Sequence, residues 1–162
     1  MLKWVGMSLA AIACLAGCGV PAGGLVGVTV DAAGNPVIVV QMCEGHIDGA
    51  TLYRFSEEPD DEEVLGRWEV SSPVSGFSQF DLDTGGNGWA VVGELEARDP
   101  QQRYTIYGWS NDNSWSAAHL TFSDRELSGL KPGTVLVPER EQDGNRSESL
   151  EDFKTRTCEG WF

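Results

Sequence analysis

Apolar residues recur along the chain in short stretches that either alternate with polar residues or run without a break. The clearest alternation lies in residues 89–97, where Trp89, Val91 and Leu95 are separated by small or charged residues. Residues 37–40 form a continuous β-branched run. Both patterns are typical of strands, and Gly, Asn, Asp and Pro mark turns between them at spacings of about ten residues. The chain is therefore predicted to form about nine short strands.

Alternation also assigns faces within residues 64–70. Val64 and Trp68 are expected on one face of this strand and Leu65 on the other. Pro73 is expected to end the strand, because proline cannot donate a hydrogen bond to a neighbouring strand.

The last third of the chain predicts a helix, a mobile segment and a strand. Ser123 is followed three residues later by Glu126, which is the pattern of a capping box and predicts one short helix near residues 124–130. Residues 138–152 are polar and charged, which predicts a mobile segment. Residues 153–158 are expected to form the last strand.

The order of these elements defines the fold class. Residues 26–30 and 37–40 flank a turn-forming segment and predict a β-hairpin. No segment is long enough for β-α-β units. The sequence therefore predicts an all-β fold, an antiparallel β-sandwich of immunoglobulin-like type, as a single domain over residues 26–162.

The first residues of the chain have a different pattern. Lys3 precedes an apolar run from Val5 to Leu15, and small residues then lead to Cys18. The run is shorter than the roughly 20 residues that a membrane-spanning helix needs. A positive residue, an apolar run and small residues in this order predict a signal peptide over residues 1–17.

The motif Leu15-Ala16-Gly17-Cys18 resembles the lipobox of bacterial lipoproteins. In that family the cysteine thiol is diacylated, the signal peptide is cut just before it, and the new N-terminus is usually acylated. The resemblance implies that Cys18 carries the lipid and that residues 18–25 form the lipidated N-terminus and a flexible tether. It also implies an anchor in the cell membrane at its extracytoplasmic face, because two or three acyl chains anchor stably. The alternative is an ordinary secreted protein in which Cys18 is a spare thiol.

Acidic residues dominate the charge of the chain. It has 25 Asp and Glu against 11 Lys and Arg, a formal net charge of −14 at pH 7. Such a surface repels nucleic acid and anionic lipid head groups, so no nucleic-acid partner is predicted. A diffuse acidic surface does not by itself indicate a cation site.

Two cysteines remain outside the predicted signal peptide and lipobox. They are Cys43 and Cys158, and an exported protein permits a disulfide bond between them. Two free thiols or a metal pair are the alternatives, but no accompanying His or Cys spacing supports a metal. A bridge would join an early strand to the C-terminus.

Two segments resemble a type of small lipoprotein that is common in high-GC Gram-positive bacteria, the actinobacterial type. The first is Gly27 to Tyr53, GVTVDAAGNPVIVVQMCEGHIDGATLY, and the second contains Leu120-Thr-Phe-Ser and Lys131-Pro-Gly-Thr-Val-Leu136. The resemblance covers both ends of the domain. It implies an envelope lipoprotein with a β-rich domain and carries no catalytic residues across.

The stretch Asp81-Leu-Asp83-Thr-Gly85-Gly86-Asn87 is the candidate metal site. Asp81, Asp83 and Asn87 occupy positions that resemble ligands of a calcium loop. The twelfth position is Val92 instead of a bidentate glutamate, so a turn is the preferred interpretation, and no metal or cofactor is predicted. The triplet Asp83-Thr-Gly85 also occurs in aspartic proteases, but that chemistry needs two carboxylates that share a proton.

A hydrolase is the first alternative hypothesis. Asp81, Asp83 and His46 are the residues on which an envelope hydrolase would be built. A serine hydrolase would need a nucleophile in a strained Gly-x-Ser-x-Gly turn, and the sequence lacks that pattern. His119 falls on a predicted strand and is interpreted as an ordinary half-buried residue. We therefore predict no catalytic residues.

Aromatic and amide residues cluster around one predicted hairpin. They are Tyr107, Trp109, Asn111, Asn113 and Trp115, together with Asp112, and a ligand platform needs such rings beside polar groups. The leading prediction is a lipid-anchored, non-enzymatic binding or accessory module of the cell envelope, with an envelope protein or a glycan as partner. A glycan or small-molecule binder that uses this hairpin is the second alternative.

Overall fold

The computed structural model describes residues 19–58, 62–139 and 143–160, so the predicted signal peptide and Cys18 lie outside the described residues. The strands are β1 (Ala22–Val30), β2 (Pro36–Met42), β3 (Ile47–Arg54), β4 (Glu63–Val74), β5 (Phe77–Asp81), β6 (Trp89–Val91), β7 (Arg103–Trp109), β8 (Ser116–Ser123), β9 (Thr134–Pro138) and β10 (Asn145–Ser149). The helices are α1 (Asp124–Ser128) and α2 (Leu150–Gly160). Neither helix in the described part of the chain has the length and apolar character needed to span a membrane.

The strands join one mixed sheet that is nearly closed into a barrel-like shape. Its main path runs β10-β9-β1-β8-β7-β3-β4-β6, and β2 and β5 extend it from β1. β1 and β8 are parallel, whereas the other pairs are antiparallel. The prediction of a predominantly β fold is therefore confirmed, but the immunoglobulin-like sandwich is not.

β1 is the central strand of the molecule. One edge pairs with β2, which confirms the predicted hairpin. The other edge is shared, because Ala22 to Leu25 run beside β8 and Val28 pairs with β9. Every residue from Gly23 to Val30 is buried as a result. The second half of the predicted tether, from Ala22 to Leu25, therefore belongs to the first strand.

The main hydrophobic core lies on the inner face of the sheet and contains three packed aromatic side chains. The ring centroids of Phe80 and Trp89 are 4.5 Å apart, and those of Trp68 and Phe80 are 5.4 Å apart. Burial of such large apolar surfaces is the dominant favourable term in folding. A second, smaller cluster packs α2 against the sheet through Phe153.

The predicted faces of β4 are wrong at its start. Tyr53 pairs with Val64 and Leu52 pairs with Gly66, so Leu65 is an extra residue that forms a bulge. A bulge shifts the alternation by one position. Leu65 is consequently buried, while the side chain of Val64 is 59% exposed.

Pro73 does not end β4 as predicted. The strand continues to Val74, which pairs with Ile47, although the register shifts between Ile47 and Gly49. Proline is tolerated where pairing is irregular because no ladder hydrogen bond is required of it there.

The strand predicted over residues 89–97 is much shorter in the structure. The regular pairing with β4 covers Trp89 to Val91, the Glu96 N–H returns to the Leu65 carbonyl at 2.9 Å, and the intervening Gly93 adopts a left-handed conformation with φ of +79°. This conformation interrupts an extended strand. The alternation is nevertheless partly realised, because Trp89 is buried and Leu95 packs against the core.

The C-terminal predictions are wrong in two respects. Residues 145–149 of the predicted mobile segment form β10 and pair with β9, and the predicted strand over 153–158 lies in α2. Ser149 caps α2, because its Oγ accepts a hydrogen bond from the Asp152 backbone N–H at 3.0 Å and donates one to the Asp152 carboxylate at 2.7 Å. The capping box predicted for α1, between Ser123 and Glu126, is present.

The predicted cysteine pair is joined in the structure. The Sγ atoms of Cys43 and Cys158 are 2.01 Å apart and their Cα atoms 5.3 Å apart. The bond connects the segment after β2 to α2, and not to a last strand as predicted. It therefore holds the C-terminal helix against the end of the first hairpin.

Candidate binding site

A concave pocket of about 430 Å³ lies on the outer face of the sheet, beside the turn between β7 and β8. We call it the tryptophan pocket, and its lining residues are Val20, Thr51, Arg67, Tyr107, Trp109, Ser110, Asn111, Asn113, Trp115 and Ser116. The predicted binding residues Tyr107, Trp109, Asn111, Asn113 and Trp115 line it, whereas Asp112 does not. The sequence missed the contributions of Val20, Thr51 and Arg67, which lie far from the hairpin in the chain.

Trp109 reaches the outer face because side chains alternate along β7. Ile106 is buried in the core, whereas Tyr107 and Trp109 fall on the opposite face and are half-buried. Trp109 pairs with Gly49 of β3, and a Cβ atom at that glycine would lie 2.2 Å from the indole Cζ2. The ring therefore covers the glycine backbone, where a larger residue would displace it.

Two further contacts orient the Trp109 ring. Its Nε1 donates a hydrogen bond to the Thr51 hydroxyl at 2.9 Å. The guanidinium carbon of Arg67 lies 4.2 Å from the ring centroid, which is cation–π distance. Trp109 and Arg67 thus form one composite surface in the pocket.

Trp115 is held in a similar way on a second glycine. A Cβ atom at Gly45 would lie between 2.2 and 2.3 Å from the indole Cγ, Cδ1 and Cδ2 atoms, so a face of the ring covers this residue. Gly45 has a φ of +63°, which also favours glycine. The buried Ser110 closes the turn, because its hydroxyl donates to the Trp115 carbonyl at 2.9 Å and accepts from the Trp115 N–H at 3.0 Å. The turn geometry therefore positions both tryptophans.

Polar groups surround the mouth of the pocket. The Asn111 N–H donates to the Asp48 carboxylate at 2.8 Å, which ties the turn to β3. Hydrogen bonds from the Ser114 side chain and N–H lower the pKa of the exposed Asp112 carboxyl to about 2. His46 also lies at this end of the molecule, with its Nε2 3.6 Å from the Asp48 carboxylate.

The candidate metal stretch forms a turn, which we call the acidic turn (residues 81–88). The Asp81 carboxylate accepts hydrogen bonds from the Asp83 N–H at 2.9 Å and the Thr84 N–H at 2.8 Å. Asp83 pairs with Arg98 at 2.9 Å, and the Asn87 amide donates to the Gln79 carbonyl at 3.2 Å. Over the described ranges, no group of three or more His, Cys, Asp or Glu could hold a metal ion.

The hydrolase residues are not brought together. Asp81 pairs with Val37 at the beginning of β2, whereas His46 follows the other end of that strand. Val37 and Met42 are separated by about 17 Å at roughly 3.4 Å per residue. His46 therefore lies with the tryptophan pocket, far from Asp81 and Asp83.

A second outer pocket of about 420 Å³ lies beside β8. His119 lines it together with Phe55, Arg103 and Thr121. The side chain of His119 is exposed, which differs from the half-buried position predicted for it. The Phe55 ring in this pocket is covered by the Arg103 guanidinium, which lies 5.1 Å from the ring centroid.

The comparisons with known proteins found no match, either among protein-family models, among curated proteins or among solved structures.

Proposed function

We propose that this protein is a lipid-anchored, non-enzymatic module at the extracytoplasmic face of the cell membrane, and that it binds a sugar-containing ligand in the tryptophan pocket. The carrying observation is the convergence of Trp109, Trp115 and Tyr107 with amide and hydroxyl groups in one concave site. Small-molecule sites are typically concave and combine aromatic or apolar side chains with convergent polar groups, and this pocket is the more polar kind.

Sugar chemistry fits this lining better than a purely apolar ligand does. Aromatic rings pack against the apolar faces of a pyranose, and the hydroxyl groups of a sugar need donors and acceptors at its edge. Asn111 and Asn113 supply exposed amides at the rim, and Ser116 supplies a hydroxyl. The pocket volume of about 430 Å³ falls in the range of ligand sites.

A binding role is also favoured over hydrolysis. His46 and Asp81 lie at opposite ends of β2, so they do not form an acid–base pair around one substrate. The carboxylates of the acidic turn are engaged by their own turn and by Arg98.

The anchor is supported by the lipobox at residues 15–18. Wild-type protein should partition with membranes, and mass spectrometry should find acyl chains on Cys18. Cys18→Ser should stay unprocessed or be released without lipid. Absence of lipid from residue 18 of the wild type would contradict the proposal.

Sugar binding is tested by calorimetry with acidic and neutral envelope oligosaccharides and the detergent-solubilised lipoprotein. Trp109→Ala and Trp115→Ala should each weaken binding at least about tenfold, a loss of about 1.4 kcal/mol, because the first removes the ring on which Arg67 packs and the second removes an aromatic wall of the pocket. His119→Ala, in the other outer pocket, is the matched control and should leave the affinity unchanged. If both tryptophan variants bind as tightly as His119→Ala and the wild type, with folding verified by circular dichroism, the tryptophan pocket is not the binding site.

A further inference from the structure

We propose that the tryptophan pocket is held at the membrane surface and that its ligand is the head group of an acidic glycolipid in the same membrane. This inference rests on the proposed function, because it requires the lipid on Cys18 and sugar binding in the pocket. It adds the orientation of the domain, the source of the ligand and a specific role for Arg67.

The N-terminal end of the described chain lies at the tryptophan pocket. Val20 lines the tryptophan pocket. The Pro21 carbonyl accepts hydrogen bonds from the Ser116 N–H at 2.9 Å and from the Ser116 hydroxyl at 3.1 Å, and β1 begins at Ala22. The chain is therefore bound to the rim of the pocket from Pro21 onward, so the flexible tether predicted over residues 18–25 cannot extend beyond Val20.

The number of residues between Cys18 and Val20 limits the distance between a lipid on Cys18 and the pocket. Cys18 precedes Val20 by two residues, and an extended chain spans at most about 3.6 Å per residue. Their Cα atoms are thus within about 7 Å of each other, whatever the conformation of the link. The head-group region on each side of a bilayer is only about 5–8 Å thick. A lipid on Cys18 consequently keeps the rim of the pocket at head-group level.

The aromatic side chains of the pocket suit a position at the membrane–water interface. Trp and Tyr side chains are enriched at membrane–water interfaces, because one end of each ring is apolar and the other polar. The pocket presents Tyr107, Trp109 and Trp115. A membrane-borne ligand is also favoured by its high local concentration around an anchored site.

An acidic group on the ligand needs a cationic partner in the pocket. Arg67 is the one charged side chain among the described residues that line the pocket. Its guanidinium lies over Trp109, and its exposed pairing with Glu69, at 3.5 Å, is of the weak surface kind. Arginine offers a planar set of donors to a carboxylate or phosphate. The chain as a whole carries a net charge of −14, which repels bulk anionic lipid, so Arg67 is the lining residue that can attract an anionic group, next to the Asp48 and Asp112 carboxylates at the mouth.

The orientation is tested with a photo-cross-linking residue in the complete lipoprotein, reconstituted in phosphatidylcholine vesicles. Asn111 is exposed at the pocket, near the start of β1, and Ala33 is exposed at the turn after β1, a strand that is about 26 Å long from Ala22 to Val30. The label at position 111 should capture lipid and the label at position 33 should not. Insertion of about 15 Gly and Ser residues between Gly19 and Val20, which adds roughly 20 Å of reach, should lower capture at position 111 several-fold. Equal capture at both positions, or no effect of the insertion, would overturn the orientation.

The ligand is tested in the same vesicles with two matched glycolipids, glucuronosyl diacylglycerol and glucosyl diacylglycerol, which differ in one carboxylate. Capture by the label at position 111 should favour the glucuronosyl lipid about tenfold, and Arg67→Gln should abolish this preference. Arg103→Gln, in the other outer pocket, is the control and should retain it. Equal capture of the two glycolipids, or equally strong capture of phosphatidylglycerol, would contradict the proposal.

Calorimetry with soluble glucuronic-acid oligosaccharides distinguishes sugar binding in the pocket from recognition of a membrane-borne glycolipid. Trp109-dependent binding of the soluble sugar without glycolipid capture would refute the membrane-borne ligand and leave the proposed function standing. Absence of binding to either form would refute both.

Discussion

Two turns of this protein that are rich in Asp, Asn and Gly lie next to tryptophans but have different consequences. The acidic turn is followed by Trp89, which is 3% exposed, stacks on Phe80 and donates to the Ser78 hydroxyl at 2.8 Å. The turn between β7 and β8 lies between Trp109 and Trp115, which are half-buried on the outer face. One turn therefore closes the core, and the other builds a pocket.

The polar side chains of the two turns are also used differently. In the acidic turn the carboxylates of Asp81 and Asp83 bind the turn itself and Arg98. In the other turn Asp112 and Ser110 stabilise the backbone, while the Asn111 and Asn113 side chains are exposed at the pocket. Turn composition alone therefore does not identify a binding site. The face of the sheet on which the neighbouring tryptophan lies decides whether a concave surface forms.

The largest expected effect comes from the tryptophan in the core. Trp89→Ala should lower the free energy of unfolding by about 3–5 kcal/mol, because it removes a buried ring and leaves a cavity. Trp109→Ala should cost clearly less, because its ring lies on the surface of the sheet. Urea denaturation of both variants measures the difference. Equal losses would show that the outer tryptophan is structural, which contradicts the comparison.

The disulfide bond connects α2 to the pocket end of the molecule and not to the acidic turn. Replacing Cys43 and Cys158 with serine should lower stability by about 2–4 kcal/mol without abolishing the fold. Hydrogen exchange should then increase first in α2 and near residues 43–46, next to Trp115. An earlier increase in the acidic turn would contradict this arrangement.

The glycine beneath Trp109 provides a smaller and more local change. Gly49→Ala should destabilise by about 1–3 kcal/mol and displace the indole, because the added Cβ would lie 2.2 Å from the ring. Gly76→Ala is the control, since no atom lies within 4 Å of a Cβ built there. Thermal unfolding and tryptophan fluorescence report stability and ring position. A neutral Gly49→Ala would show that the ring does not depend on the glycine.

The smallest expected effect is the protonation of Asp112. Its folded-state pKa of about 2 is below the ordinary value of 3.8, so the hydrogen bonds of its carboxylate contribute to the turn fully above pH 3.8 and are lost as the pH falls towards 2. Carboxyl chemical shifts measured by NMR should show this titration, and the Asn111 and Ser114 amide signals should move with it. An Asp112 midpoint near 3.8 would contradict the hydrogen-bonded turn.

Local patterns predicted much of the fold and part of the site. The hairpin of β1 and β2 and the capping box of α1 depend on neighbouring residues and were recognisable. The α2 cap, Ser149 with Asp152, is equally local, but the polarity of residues 138–152 predicts a mobile segment and hides it. Phe153 and Thr157, both buried, have the four-residue spacing of one helix face, which is the signal that distinguishes α2 from a strand.

The sequence by itself determined the predominantly β character, the cysteine pair and the aromatic side of the pocket, because all three follow from residue types and short-range periodicity. Only the tertiary structure decided the parallel pairing of β1 with β8, the bulge at Leu65 and the presence of Val20 and Arg67 at the same pocket. These features depend on which distant strands become neighbours. That choice results from many weak packing contacts acting together, and no short segment of the chain encodes it.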